Sequence, residues 1–166
     1  MLEAGVLGRE EKLELIEGEL YVLSPKHNRH EKIKLGLVRF FAKKLSEDIQ
    51  LGVETTLYFD DDTFVEPDLH MFPINVPTDK VKGPDVLLAI EVSDSTLGYD
   101  LKRKPPVYAR FGVAELWVID AQNGITHIHT DPEPDGYAKI EIRNADETLV
   151  APFDSAIALR LADLIK

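Results

Sequence analysis

The stretch VLLAIEVSDST, residues 86–96, opens with six apolar or β-branched residues broken by a single acid and closes in a polar turn. That pattern predicts one short strand over 86–92. Side chains alternate along a strand, so Val86, Leu88, Ile90 and Val92 fall on one face, and Leu87, Ala89, Glu91 and Ser93 on the other. Glu91 is then the one carboxylate in an apolar strand. Burying it alone costs several kcal/mol, so it reaches water at the strand end, pairs with a cationic side chain, or binds a metal ion.

Upstream, TFVEPDLHMF (63–72) reads as a strand in which Pro67 marks an edge, a bulge or a bend. LGVETTLYF (51–59) precedes it as another strand, with Asp60-Asp61-Asp62 as a solvated hairpin tip between them. Residues 13–23, LELIEGELYVL, predict a hairpin turning at Glu17-Gly18. From 30 to 45 the period changes, with Ile33, Leu37, Phe40, Phe41 and Leu45 three and four apart on an amphipathic helix that Asn28 would cap. Residues 73–85 form a loop. Residues 100–111 are mostly helical; Pro105 and Pro106 belong in a first turn, so the regular helix should begin near them and end at Gly112. ELWVID (115–120) is a buried strand containing a core Trp117. ITHIHT (125–130) and GYAKIEIR (136–143) suggest a hairpin across a loop at 131–135, and the closing IALRLADLI is a helix or a strand. The outline is a mixed α/β (α+β) fold, helices beside a mixed sheet.

With 166 residues, 44% hydrophobic and 30% charged, the chain is expected to form one domain, 1–166. The absence of cysteine excludes disulfides, thiolate metal sites and a cysteine nucleophile, and fits a cytoplasmic location. No apolar run is long enough to span a membrane, and the N-terminus MLEAGVLGREEK lacks the features of a signal peptide. The net charge of −11 argues against broad nucleic-acid affinity. Its distribution is uneven: residues 26–44 hold seven basic side chains against Glu31 alone, a local +6, and 102–110 hold four with no acid.

If the strands at 63–72 and 86–92 are neighbours, Asp68 and Glu91 can point to one place. Two carboxylates and a backbone carbonyl, that of Val92, suit Mg²⁺ or Mn²⁺, with water filling the other positions. A lysine nearby would stabilise charge on a phosphate under attack.

EPDLHMF (66–72) and LLAIEVSDSTLGYDLKRKPPVYARFGVAELWVID (87–120) resemble the PD-(D/E)XK nucleases, and most closely the Uma-type restriction endonuclease family, once filed as a domain of unknown function. The opening residues 2–30 also resemble that family's N-terminus. The resemblance implies a restriction-endonuclease-like core, Asp68 and Glu91 as metal ligands, Lys104 as the catalytic lysine, and a functional histidine at His30. It implies a Mg²⁺-dependent attack of water on DNA phosphodiesters, leaving 5′-phosphate and 3′-hydroxyl ends. The wider superfamily carries its lysine two residues after the glutamate, where this chain has Ser93.

Each candidate has a plainer reading. Asp68 can be a turn acid after Pro67, and Lys104 a surface lysine beside Lys102 and Arg103. Asp100 suits a helix cap better than a ligand, and Tyr108 a core residue with a satisfied hydroxyl. Glu19 and Glu54 are weaker further acids. His127 and His129 share a strand face and could bind metal, although exposed strand histidines are commoner. Besides the endonuclease, two functions stay open: a catalytically weak or inactive nuclease-fold oligomeric binding or accessory protein, and a metal hydrolase of small phosphate esters. The expected partners are DNA, bound weakly and salt-sensitively, and a second copy of the chain in a homodimer or higher oligomer.

Overall fold

The computed structural model describes residues 12–23 and 25–165. The N-terminal part of the resemblance, residues 2–11, and Ser24 lie outside them. In chain order the elements are β1 (Leu13–Ile16), β2 (Glu19–Val22), α1 (Asn28–Lys44), β3 (Ile49–Val53), β4 (Leu57–Asp60), β5 (Thr63–Val65), β6 (Leu69–Pro73), β7 (Leu88–Ser93), α2 (Leu97–Arg110), β8 (Glu115–Asp120), β9 (Ile125–Glu133), β10 (Gly136–Arg143), β11 (Leu149–Val150), β12 (Ala158–Leu159) and α3 (Leu161–Leu164). Six strands make the main sheet, ordered β10-β9-β8-β7-β6-β3. A smaller sheet has the order β2-β1-β5-β4, and β11 pairs with β12. The main sheet is mixed: β7 runs parallel to β8, joined through α2, and its other pairs are antiparallel.

β7 is the strand expected over 86–92, found at 88–93 and buried at every position. Leu88, Ile90 and Val92 pack on α1 through Ile33, Leu37 and Phe41. Ala89 packs on the opposite side with Val107 and Tyr108 of α2. Val86 departs from the expected alternation: it precedes the strand and joins the α2 side. The small sheet covers α2 in turn, with Phe59 stacked on Phe111 at 4.8 Å and edge-on to Tyr108 at 5.9 Å. The predicted hairpin turn is present, Glu17 and Gly18 both adopting positive φ (52° and 78°), as a two-residue hairpin loop requires.

Several local expectations are corrected. The single strand predicted over 51–59 is two strands in different sheets, because the chain turns at Glu54, a non-glycine residue at φ 49°. The Glu54 N–H donates to the Asp68 carbonyl and its carboxylate gathers Lys12, Lys26 and Lys34, which together hold the bend. The strand predicted over 63–72 likewise divides at Glu66-Pro67-Asp68 and passes from the small sheet to the large one. Pro67 lacks the N–H needed to continue a ladder, so of the three readings the bend is correct. Of the three segments expected to be consecutive neighbours, β3, β6 and β7 are adjacent, and β4 and β5 belong elsewhere.

Helix α2 begins at Leu97, well before Pro105 and Pro106, and runs through both. The buried face of Lys104, Val107 and Tyr108 overrides a local rule that would start the helix at the prolines. Asn28 is the first helical residue of α1 rather than its cap; that position is His27, with no side-chain capping bond. β9 extends through most of the predicted loop, to Glu133. The C-terminal stretch is both things offered, a strand pair and a helical turn.

Gly52 faces His70 across β3 and β6, and a Cβ built there would lie 2.2 Å from the His70 ring. That ring is fully buried and stacked on Phe72, so it has little room to move. Gly52→Ala should therefore destabilise the fold by about 2 kcal/mol. Calorimetry should read this as a fall in Tm of roughly 4–8 °C for a chain of this size.

The histidine pair on β9 is not exposed. His127 is half-buried, and His129 is buried with neither ring nitrogen hydrogen-bonded. Burial lowers the His129 pKa to about 4, the neighbouring His127 adding to the effect. The unfolded chain therefore binds a proton below pH ~6.5 that the folded chain refuses, and folding stability declines as pH falls from there toward 4. Between pH 7.5 and 5.5 this histidine should remove about 1.4 kcal/mol. Urea unfolding of wild type and His129→Leu at both pH values isolates that share, which the variant should lack.

Candidate active site

The β6–β7 register places Leu69 opposite Ile90. Continued toward the end of the pair, it sets Asp68 opposite Glu91 and Pro67 opposite Val92. The Val92 N–H has no ladder partner in that direction and donates instead to Asp68 Oδ2 at 2.7 Å. Ser93's carbonyl accepts from Ala121 on the β8 side, so by strand alternation the Val92 carbonyl faces the Asp68 edge. Proline opposite offers it no N–H. The Pro67-Asp68 pair thus ends the ladder and leaves a carboxylate and a carbonyl at the same strand end.

Glu91 lies on the face of β7 that α2 covers. Its Oε1 accepts from Lys104 Nζ at 3.0 Å and from the Tyr108 hydroxyl at 2.6 Å. Glu91 is thus paired with a cationic side chain and does not reach water. Lys104 is the eighth residue of α2 rather than a first-turn residue, and it is buried rather than on the surface. Tyr108 is in the core as expected, with Glu91 satisfying its hydroxyl. Asp100, in the first turn of α2, accepts from Ser93 Oγ and Thr96 Oγ1, both at 2.6 Å. Ser93 therefore occupies the superfamily lysine's place and ties β7 to α2, while Lys104 brings the ammonium from the helix.

His30, in the first turn of α1, sets Nε2 3.0 Å from Asp68 Oδ1 and Nδ1 3.0 Å from Glu31. Lys26, just before the helix, also binds Asp68 Oδ1, and reaches Glu54 at 2.7 Å. Burial would push the Asp68 carboxyl up, but the His30 ring and the Lys26 ammonium hold it well below the usual carboxylate range. At Glu91 burial prevails: its carboxyl is pushed up, with the Glu14 and Asp68 charges adding to the effect against Lys104 and Tyr108. Burial alone would lower Lys104, yet the Glu91, Glu14 and Asp100 carboxylates keep it charged.

Two members of this cluster escaped the sequence reading. Glu14 on β1 is 1% exposed and accepts from Lys104 Nζ at 3.0 Å and from the Glu66 N–H at 3.0 Å. Its signal was available: in LELI it shares a strand face with buried Ile16, a lone acid placed as Glu91 is. Lys26 carried no comparable signal. The weaker acids do not add carboxylates to the centre. Glu54 neutralises three lysines and is lowered to about 2, and Glu19 sits in an exposed contact with Arg103 and Tyr21.

Asp68, Glu91, Val92, Lys104, His30 and Lys26 all line one cavity of about 240 Å³ beneath the β1–β2 hairpin. Among the described residues no three His, Cys, Asp or Glu side chains form a metal-holding cluster. Two carboxylates and a carbonyl nonetheless fit a hard, oxygen-seeking ion that keeps several waters. A lysine ammonium already rests on Asp68, so a cation is tolerated there. Not all of the +6 segment faces solvent: Lys34 is buried against Glu31 and Glu54, leaving Arg29, Lys32, Arg39, Lys43 and Lys44 outside.

Among the described residues, no helix is long and apolar enough to cross a membrane. No curated protein matches the chain. Among solved structures, it is similar to a crystal structure from Anabaena variabilis described as a putative nuclease belonging to DUF820. The TM-score is 0.76 at 17% identity, covering 98% of this chain and 94% of that one, a likeness of fold. Residues 2–162 match the Uma2 family, described as "Putative restriction endonuclease". That match supports a nuclease function, and with 161 of 166 residues spanned, the chain belongs to the Uma2 family.

Proposed function

We propose that this protein is a single-domain, cytoplasmic, Mg²⁺-dependent DNA endonuclease, with Mn²⁺ able to replace Mg²⁺. The observation that carries this reading is the convergence of Asp68, Glu91 and Lys104 in one cavity, with Lys104 supplying from α2 the ammonium that Ser93 cannot. Asp68, Glu91 and the Val92 carbonyl would hold the ion. When bound, the ion supplies Lewis acidity toward a phosphate oxygen and an acidified water.

The remaining chemistry belongs to the chain. His30 and the Val92 N–H fix the two oxygens of Asp68, and Tyr108 fixes Glu91. Lys104 places a buried positive charge at Glu91, where it can stabilise charge building on the phosphate and orient the attacking water. Lys26 occupies an Asp68 oxygen and competes with the ion. Lys26→Met should therefore tighten Mg²⁺ binding, on the order of tenfold, when measured by calorimetry.

The proposal is tested by incubating linear duplex, single-stranded and supercoiled DNA with the protein. Cleavage that needs Mg²⁺ or Mn²⁺, stops in EDTA, leaves 5′-phosphates and is absent in Asp68→Asn supports it. Cleavage indifferent to EDTA and to Asp68→Asn contradicts it. The charge of −11 favours a second reading, a nuclease-fold accessory protein; ion binding with no cleavage of any of these DNAs would select it. The reading includes a homodimer or higher oligomer, supported by the edge strand β10, which exposes Ile140 and Ile142. Light scattering giving a monomer at all concentrations would refute that part.

A further inference from the structure

The catalytic cluster is deeply set. Asp68, Glu91 and Lys104 are 2%, 5% and 6% exposed, so a phosphate must enter the cavity to meet them. At about 240 Å³ the cavity is smaller than the ~300–1,000 Å³ typical of pockets for drug-sized ligands, and its volume suits one nucleotide rather than a stacked pair of strands. Its wall carries two aromatic rings that the cluster does not use. Tyr99 on α2 is 45% exposed, and Tyr21 on β2 lies with its ring centroid 6.0 Å from that of Tyr99. The Arg103 guanidinium covers Tyr21 at 4.9 Å and donates to its hydroxyl at 2.6 Å. Tyr21 is thus fixed in place, and the half-exposed Tyr99 ring beside it is available to a ligand.

An exposed ring beside a nucleotide-sized cavity binds a base only if that base has a free face. Bases inside a duplex have both faces stacked on their neighbours, whereas an unpaired nucleotide offers one. The charge of the molecule points the same way. A body at −11 gains little from the long run of phosphate contacts that holds a duplex, while stacking on an aromatic ring does not depend on charge. Near the mouth, the exposed Arg29 is ion-paired at 3.4 Å with the cavity-lining Asp94.

We propose that the substrate enters as a single-stranded DNA segment, an overhang, flap or gap, with the base beside the scissile phosphate unstacked onto Tyr99. This rests on the nuclease reading above and specifies its substrate class. Tyr99 is a positioning residue in this account.

The test is fluorescence anisotropy in EDTA, where no cleavage occurs, using one labelled sequence as a single strand, a duplex with a single-stranded overhang, and a blunt duplex. A 2-aminopurine in the unpaired segment reports stacking. The single strand and the overhang should bind at least about tenfold more tightly than the blunt duplex, and 2-aminopurine should be quenched on binding. Tyr99→Ala should weaken binding of the unpaired substrates by about tenfold or more and abolish the quenching. Tyr99→Phe should restore both, which separates stacking from a role of the hydroxyl. Blunt duplex bound as tightly as single strand, or Tyr99→Ala without effect on the single strand, overturns the inference and leaves the nuclease reading in place. Failure of every DNA to bind overturns the nuclease reading and the inference with it.

Discussion

Asp68→Asn should abolish cleavage, with a loss of at least about 1,000-fold, because an anchor for several kcal/mol of metal-ion catalysis goes with the carboxylate. The substitution is nearly isosteric, and an amide oxygen can still accept from the Val92 N–H, which the wild-type carboxylate holds at 2.7 Å. The fold should therefore survive. What is lost is the negative charge that His30 and Lys26 flank. Asp68→Ala would remove the same charge and would also leave the Val92 N–H without its acceptor, so the asparagine variant separates activity from stability. Rates from a gel-based cleavage assay, beside far-UV circular dichroism, measure both. Wild-type turnover in Asp68→Asn would remove Asp68 from the centre.

Lys104→Ala should have the second largest effect, and it should act on two quantities. Turnover should fall by about 100-fold, the usual loss for one donor aimed at transition-state charge. Stability should fall by roughly 3–5 kcal/mol, because Glu14 and Glu91 are left buried with no cation between them. The two effects can be separated. The double change Lys104→Met with Glu14→Gln removes one of the stranded carboxylates, so it should recover much of the stability and none of the rate. Lys102→Ala, on the exposed side of α2, should leave the rate intact. Mg²⁺ affinity in Lys104→Ala should be unchanged or slightly higher, since a nearby positive charge has gone. A Lys104→Ala enzyme cleaving at the wild-type rate, with Lys102→Ala inactive, would assign the role to the wrong lysine.

The parts of the fold legible in the sequence were those set by local pattern. The lone acid in VLLAIEV, the change of period in α1, the Glu17-Gly18 turn and the strand at Trp117 each follow from residues close together in the chain. The breaks at Glu54 and Pro67 were harder. β-favouring residues run across both, and what decides each break is a partner elsewhere: three lysines for Glu54, and the end of the β6–β7 ladder for Pro67. The start of α2 was misplaced because two prolines outweigh local propensity, whereas the helix is held by the sheets on either side of it.

The site followed the same division. Asp68 and Glu91 carry signals within their own strands, and the family resemblance added Lys104 and His30. Glu14 meets Lys104 across 90 residues of sequence, and Lys26 meets Asp68 across 42. Such pairs are created by the fold, and of the two only Glu14 had a local trace, its place on a buried strand face.

The most direct measurement of the central claim is calorimetric titration of Mg²⁺ or Mn²⁺ into the wild-type protein and into Asp68→Asn. The account predicts saturable binding of the ion to the wild type, and its loss in the variant while the fold is kept. Equal binding to both proteins, or none to the wild type, would contradict it.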